Sequence, residues 1–148
     1  MHKGTAADLD EAVRTLNKRN GPSTEAAIST YRKLVLRLLS RNSKEETEDH
    51  AAVISMLRDI LYRLANQYRS QPIDKKLNAE MFEMLMATHY QNMLYTAKSM
   101  GLKEIAAKCS ITLLKYPNLI PHDKAFYQAG MACREQGNIN LSFLLLNR

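Results

Sequence analysis

The sequence has few of the residues that interrupt helices or cross-link small folds. Four prolines and five glycines in 148 residues are too few for a loop-rich β protein, and there are two cysteines, Cys109 and Cys133. Their spacing fits neither a metal site nor the disulfide framework of a small secreted domain. We therefore expect both cysteines to be small buried side chains in a protein of a reducing compartment.

Long apolar runs are also missing. The most apolar stretch, Phe143–Leu146, has four residues, whereas a membrane-spanning helix needs about 18 or more. The first 20 residues are polar and charged and lack the apolar core of a secretory signal. These absences predict a cytoplasmic, intracellular protein with no transmembrane segment.

No stretch carries a pattern typical of catalysis. The chain has no P-loop, dinucleotide fingerprint or nucleophile elbow. The histidines His2, His50, His89 and His122 are scattered, without further ligands at convincing metal-binding spacing. We expect no enzyme activity, no catalytic residues, no metal and no cofactor. Among the histidines, His89 is notable because it lies in the middle of the most apolar predicted helix.

What the chain does contain is helix-forming residues in helical patterns. Ala, Leu, Met, Lys, Arg and Glu dominate, and apolar residues recur every three or four positions. We predict an all-α fold of about seven helices, with His122 or Asp123 capping the sixth and Gly137 ending it. The predicted helices are Thr5–Arg19, a second from Ser23 or Thr24 to about Arg41, Glu46–Arg69, Asp74–Met100, Leu102–Lys115, Asp123–Gln136, and a seventh from near Asn138 or Asn140.

Residues 90–148 repeat themselves with an offset of 36, the separation of Gly101 and Gly137. This offset is close to the tetratricopeptide period of about 34, in which each helical hairpin must stack on its neighbours to cover its apolar face. The sequence predicts a tetratricopeptide-like α-α repeat, an α-solenoid, with its best-defined repeats at 77–116 and 121–148. Other pairs at this offset are Tyr90 with Phe126, Ala97 with Cys133, Lys98 with Arg134, Ile105 with Leu141, and Ala106 with Ser142.

The helix at 74–100 is apolar on two sides, with Met81, Met84 and Leu85 on one and Phe82 and Met86 on the other. A helix apolar all round is expected to be packed on both faces. Its methionines are interpreted as core residues that fill gaps. The alternative is an adaptable, methionine-rich groove for partner helices.

The last predicted helix is apolar, with Leu141, Phe143, Leu144, Leu145 and Leu146, and only Asn147 and Arg148 come after them. The final helix of a solenoid normally has a polar outer face. We therefore expect residues 1–148 to be a single helical-repeat segment of a longer solenoid, or to dock on another molecule at this helix. Self-association through the same helix would follow.

The formal net charge of +6 permits several kinds of acidic partner without choosing one. Lys33, Arg37 and Arg41 lie four residues apart on the second predicted helix, where they form a solvated face or a site for phosphate or acidic lipid. Lys98 and Arg134 occupy equivalent positions of the two repeats and are candidates for binding an acidic peptide. Because no aromatic platform accompanies the basic row, we expect no nucleic-acid partner.

Two stretches resemble a known family. They are similar to the C-terminal helical-repeat region of the intraflagellar transport protein 172 family. The stretches are LIPHDKAFYQAG at 119–130 and FLLLNR at 143–148, and the pair His89-Tyr90 also fits. The similarity is specific over about residues 77–148 and weak before them. The residues that match the family motif are Asp123, Lys124, Phe126, Tyr127, Gly130, Asn147 and Arg148.

The resemblance implies a non-catalytic scaffold segment of an intraflagellar transport B complex subunit. It would contact other B complex subunits and the A complex, in the cilium or flagellum and at the basal body. The family pattern also places β-propellers and most of a long solenoid before this segment, with further repeats and a small domain after it. Two alternatives rest on the residues alone: a free-standing tetratricopeptide-type peptide-binding adaptor, and a basic binder of membrane or nucleic-acid surfaces.

Overall fold

A computed structural model describes residues 24–41, 48–69 and 74–147. Over these ranges the regular structure is entirely helical, which confirms the all-α prediction. The predicted helix Thr5–Arg19 and Arg148 lie outside the described residues. A 3₁₀ turn, Leu113–Lys115, continues the fourth helix. The helices are α1 (Thr24–Leu39), α2 (Glu48–Arg69), α3 (Lys75–Ser99), α4 (Lys103–Thr112), α5 (His122–Gln136) and α6 (Ile139–Leu146).

From α2 onward, each helix packs against the next one in the chain, and α1 packs against α3. The connections between α2 and α6 are short, so successive helices run in opposite directions. The main core lies where α1, α2, α3 and α4 meet. Six apolar residues of α1 recur at helical spacing, which predicts that they share an inner face. All six are buried there: Ile28, Tyr31, Leu34, Val35, Leu38 and Leu39.

The turn between α3 and α4 is a Schellman motif. Gly101 has a φ of 73°, a left-handed conformation that glycine adopts without steric cost. Its N–H donates to the carbonyl of Lys98 at 3.2 Å, and the N–H of Leu102 donates to the carbonyl of Ala97 at 2.8 Å. These two bonds satisfy carbonyls that the end of α3 would otherwise leave unpaired.

The turn between α5 and α6 has the same geometry 36 residues later. Gly137 has a φ of 99°, as predicted for the residue that ends this helix. Its N–H donates to the carbonyl of Arg134 at 3.1 Å, and the N–H of Asn138 donates to that of Cys133 at 2.9 Å. The sequence offset therefore corresponds to a repeated backbone structure.

The start of α5 differs from the prediction. Pro121, at φ −55° and ψ 138°, precedes the helix, and no side chain caps it. The proposed cap by His122 or Asp123 is wrong, because both residues already belong to the first turn of the helix. The His122 ring instead packs against Phe126, with ring centroids 4.4 Å apart. At the start of α6, by contrast, the Asn138 side chain accepts a hydrogen bond from the N–H of Leu141.

The prediction that α3 is covered on both faces is wrong at Phe82, whose exposed fraction is 60%. Met81 and Met84 are buried, as expected for the inner face. Helix α4 has 10 residues and α3 has 25. At 1.5 Å per residue, α4 can therefore cover less than half the length of α3.

Small side chains bring α4, α5 and α6 together. A second core cluster consists of Ala107, Ala129, Ala132, Cys133 and Leu145. The predicted burial of the cysteines is confirmed, since Cys109 and Cys133 are both buried. On α4 the small residues Ala106, Ala107 and Cys109 face inward, and two larger residues, Ile105 and Ile111, are exposed, contrary to what their apolar character predicts. Met56 of α2 is likewise exposed, although its spacing predicts burial.

Candidate interaction surfaces

A groove runs along the outside of the α2 and α3 pair. Its cavity volume is about 520 Å³. We refer to it as the α2–α3 groove. Helix α2 contributes Arg58, Asp59, Tyr62, Ala65, Asn66 and Arg69. Helix α3 contributes Phe82, Leu85, Met86 and His89.

Helical spacing explains how the groove forms. The four α3 residues follow the spacing i, i+3, i+4, i+7, which places them on one face of the helix. That face is turned away from Met81 and Met84, the residues that enter the core. Phe82 and Tyr62 are 60% and 57% exposed, so two large aromatic rings border the groove from opposite helices.

A contact between a cation and a neutral ring joins the two walls of the groove. Arg58 donates from Nε to Asp59 at 2.8 Å, and its Nη1 lies 3.5 Å from Nδ1 of His89. Burial lowers the pKa of His89, and the positive charge of Arg58 lowers it further. A neutral ring with the proton on Nε2 can accept from Arg58, whereas an imidazolium would repel it.

The methionines of α3 divide between the two interpretations, core residues and an adaptable surface for partner helices. Met81 and Met84 are core residues, as interpreted from the sequence. Met86 is half-buried and lines the groove. Met93 is half-buried and packs on the core, while Met100 is exposed at the end of α3. One methionine therefore belongs to an open apolar surface of the kind that the alternative interpretation described.

A second apolar surface lies on α6. Phe143 and Leu144 are each 65% exposed, and Ile139 and Leu146 are also exposed. We refer to these four residues as the α6 face. On the opposite side of the helix, Leu145 and Ser142 are buried against α5, where the Ser142 hydroxyl donates to the carbonyl of Gly130 at 2.8 Å. As the sequence pattern predicted, the outer side of this helix is apolar and open.

The predicted basic row is only partly helical. Lys33 and Arg37 are exposed on α1, but Arg41 is two residues beyond Leu39, where the helix ends. The three residues therefore do not continue one helical stripe. Their role in binding phosphate or lipid stays a prediction.

Lys98 and Arg134 do occupy equivalent places. Each is exposed in the last turn of its helix, three residues before the left-handed glycine. The carbonyl of each accepts the glycine N–H. Both side chains are thus free of core packing, and their part in binding an acidic peptide stays a prediction.

The motif residues fall into packing and exposed groups. Phe126 is half-buried on the second core cluster, and Gly130 is buried against α6. Tyr127 is exposed and does not pack into the core. Asn147 is exposed, and its side-chain amide donates to the carbonyl of Phe143 at 2.8 Å, at the end of α6. Asp123 is exposed and Lys124 is half-buried.

Over residues 24–41, 48–69 and 74–147, no three His, Cys, Asp or Glu side chains gather closely enough to hold a metal ion. None of the helices in these ranges combines the length and the apolar character needed to cross a membrane.

The sequence matches no family model. It is 34% identical over 141 residues, 93% of this chain, to the intraflagellar transport protein 172 homolog of Danio rerio. It is 29% identical over 150 residues, 100% of this chain, to the Homo sapiens homolog. Intraflagellar transport protein 172 of Chlamydomonas reinhardtii is 42% identical over 96 residues, 62% of this chain. The chain spans 6% to 8% of the length of these relatives.

Proposed function

Because this chain belongs to the intraflagellar transport protein 172 family, we propose that it is a non-catalytic scaffold segment of an intraflagellar transport B complex subunit. It presents helical surfaces to other proteins in ciliary transport trains. Its partners are other B complex subunits and the A complex, and its location is the cilium or flagellum and the basal body. The names of the relatives support intraflagellar transport.

The α6 face is the observation that carries the proposal. Two of its residues, Phe143 and Leu144, leave most of their surface in water, although Ser142 and Leu145 of the same helix are buried against α5. Clusters of exposed large apolar side chains mark protein interaction sites in soluble proteins. A face of this kind on the last described helix suits a protein that works by stacking further helices or subunits on itself.

The repeated turns support the same proposal. Helices α2 to α6 each pack against the next one in the chain, and the same turn recurs at Gly101 and Gly137. Such a unit can be extended by adding hairpins. The chain spans 8% of the Danio rerio relative. We propose that residues 1–148 form one stretch of an α-solenoid, with repeats at 77–116 and 121–148.

The test is to place a charge on the α6 face. In ciliated cells, tagged protein with Leu144→Asp should lose ciliary enrichment and co-precipitate less of the other B complex subunits. Its helical content should stay unchanged. Met56→Asp on α2 is the matched control, since Met56 is also an exposed apolar side chain on a helix. Ciliary enrichment and subunit recovery that are the same for Leu144→Asp and wild type would contradict the proposal.

A further inference from the structure

The α2–α3 groove has the shape of a seat for one helix. Its α2 wall runs from Arg58 to Arg69, and the eleven helical steps between them cover about 16 Å at 1.5 Å per residue. That length corresponds to about three turns of a partner helix. Two neighbouring antiparallel helices present ridges between which a third helix can pack at an axial distance of about 8–10 Å.

The floor and rims of the groove are apolar and aromatic. Leu85, Met86 and Ala65 are half-buried beneath the exposed rings of Tyr62 and Phe82. Large aromatic side chains that contact a partner carry much of the binding energy of protein interfaces, because they bury a wide area with few rotatable bonds. Tyr62 and Phe82 are therefore the anchors that a partner would cover.

The charge around the groove is positive at one end. The carboxylate of Asp59 is engaged by Arg58 within the same helix. At the end where α2 finishes and α3 begins, Arg69 lines the groove, and Lys75 lies seven residues before Phe82, on the same face of α3. Within the described ranges no carboxylate forms an ion pair with Arg69 or Lys75.

The carboxylates of α3 do not offset the positive charge at this end of the groove. Glu80 and Glu83 are the acidic residues of α3, and neither lines the groove. Glu80 instead lines a separate polar depression against α1. A ligand in the groove would thus meet cations without nearby competing acids on α3, which favours an acidic partner through electrostatic complementarity.

We propose that the α2–α3 groove binds an acidic amphipathic helix of a partner protein. The apolar residues of that helix, spaced three and four apart, pack between Tyr62 and Phe82. Its flanking carboxylates meet Arg69 and Lys75. This mode is the helix-in-groove recognition that other apolar clefts between helices use. The site is separate from the α6 face, so the inference stands or falls independently of the proposed function.

A defined peptide tests the groove directly. The probe is a helix-stapled, fluorescein-labelled peptide with leucine at i, i+3, i+4 and i+7 and glutamate at the flanking positions. Fluorescence anisotropy should show saturable binding to the wild-type chain, weakened at least about tenfold by Phe82→Ala. Arg69→Glu should weaken it several-fold. Met56→Ala, an exposed apolar residue of α2 outside the groove, should leave the affinity unchanged.

Two peptide controls separate the two parts of the proposal. A version with lysine in place of glutamate should bind several-fold more weakly, and Arg69→Glu should reverse that preference. A version with the same composition but scrambled leucine positions should not bind. Circular dichroism of each protein variant checks that the helices remain, which is expected because Phe82 and Arg69 are exposed.

Three results would overturn the proposal: no saturable binding of the glutamate peptide, equal affinity for the lysine peptide, or an affinity that Phe82→Ala does not change. Sedimentation of the wild-type chain tests a different occupant. A dimer that Phe82→Ala converts to a monomer would show that a second copy fills the groove, and the acidic partner helix would then be rejected.

Discussion

Gln91 and Gln128 form a reciprocal pair of hydrogen bonds inside the protein. The Nε2 of Gln91 donates to Oε1 of Gln128 at 2.9 Å, and the Nε2 of Gln128 donates back to Oε1 of Gln91 at 3.3 Å. Both side chains are buried. The pair links α3 to α5, two helices between which α4 lies in the chain, so it fixes how one hairpin lies against the next.

Removing one member of this pair should cost more than removing both. Gln128→Met leaves the buried amide of Gln91 without its partner, and we expect the free energy of unfolding to fall by about 1–3 kcal/mol. Gln91→Met combined with Gln128→Met leaves no unpaired amide and should be less destabilising than the sum of the two single changes. Urea denaturation of the four proteins measures this. Additive losses would contradict a coupled pair.

The buried hydroxyl of Thr88 predicts a stabilising substitution. Its Oγ1 has no hydrogen-bond partner among the described residues, and the residue is fully buried. Thr88→Val keeps the shape and removes the unsatisfied hydroxyl, so the free energy of unfolding should rise by about 1 kcal/mol. Thr96 is the control on the same helix, because it is exposed and its Oγ1 donates to the carbonyl of Asn92 at 3.0 Å. Thr96→Val should bring no comparable gain in thermal denaturation.

The two repeated turns should respond alike to substitution. A Cβ added at Gly101 or Gly137 would meet no atom within 4 Å, so the cost comes from the left-handed backbone alone. Gly101→Ala and Gly137→Ala should each lower the free energy of unfolding by about 1–2 kcal/mol. Asn at either position should cost less, since asparagine tolerates this conformation. Clearly different costs at the two turns would show that their surroundings are not equivalent.

Acidification should destabilise the protein in part through His89. Its pKa is lowered by burial and by Arg58, so below the ordinary histidine value of about 6.5 the unfolded chain binds a proton that the folded chain resists. The stability that this difference contributes is present above that value and is lost as the pH falls from it through the lower pKa of His89 in the folded protein. His89→Asn keeps an acceptor for Arg58 and removes the titration. Urea midpoints at pH 7.5 and 5 should therefore differ less for the variant, and an equal difference would exclude His89 as a source.

Much of the fold could be predicted from the sequence, because helices depend on local signals. The turns at Gly101 and Gly137 needed only a glycine after an apolar helical pattern. The inner face of α1 followed from spacing alone. The error at Phe82 has a different origin, since its exposure depends on how the neighbouring helices pack against α3, which the local sequence pattern does not encode.

The candidate groove was mostly beyond sequence reasoning. Its two walls come from different helices, and the contact between Arg58 and His89 joins residues 31 positions apart. Two sequence signals pointed to the α3 side: a histidine in an apolar helix, which marked His89, and the possible methionine-rich groove, which included Met86. Neither signal marked the α2 side. Gln91 and Gln128 are 37 positions apart, and nothing in their local patterns indicates a pair.

The two separate core clusters have a consequence for how the protein comes apart. The smaller one, around Ala129 and Cys133, ties α6 to α5 without sharing a buried residue with the larger. Loss of the last hairpin need not melt α1–α3, so amide hydrogens near Ser142 should exchange sooner than those near Leu57. We expect the protein to unfold stepwise, beginning at α6. A subunit docked on α6 would therefore stabilise the helix that opens first.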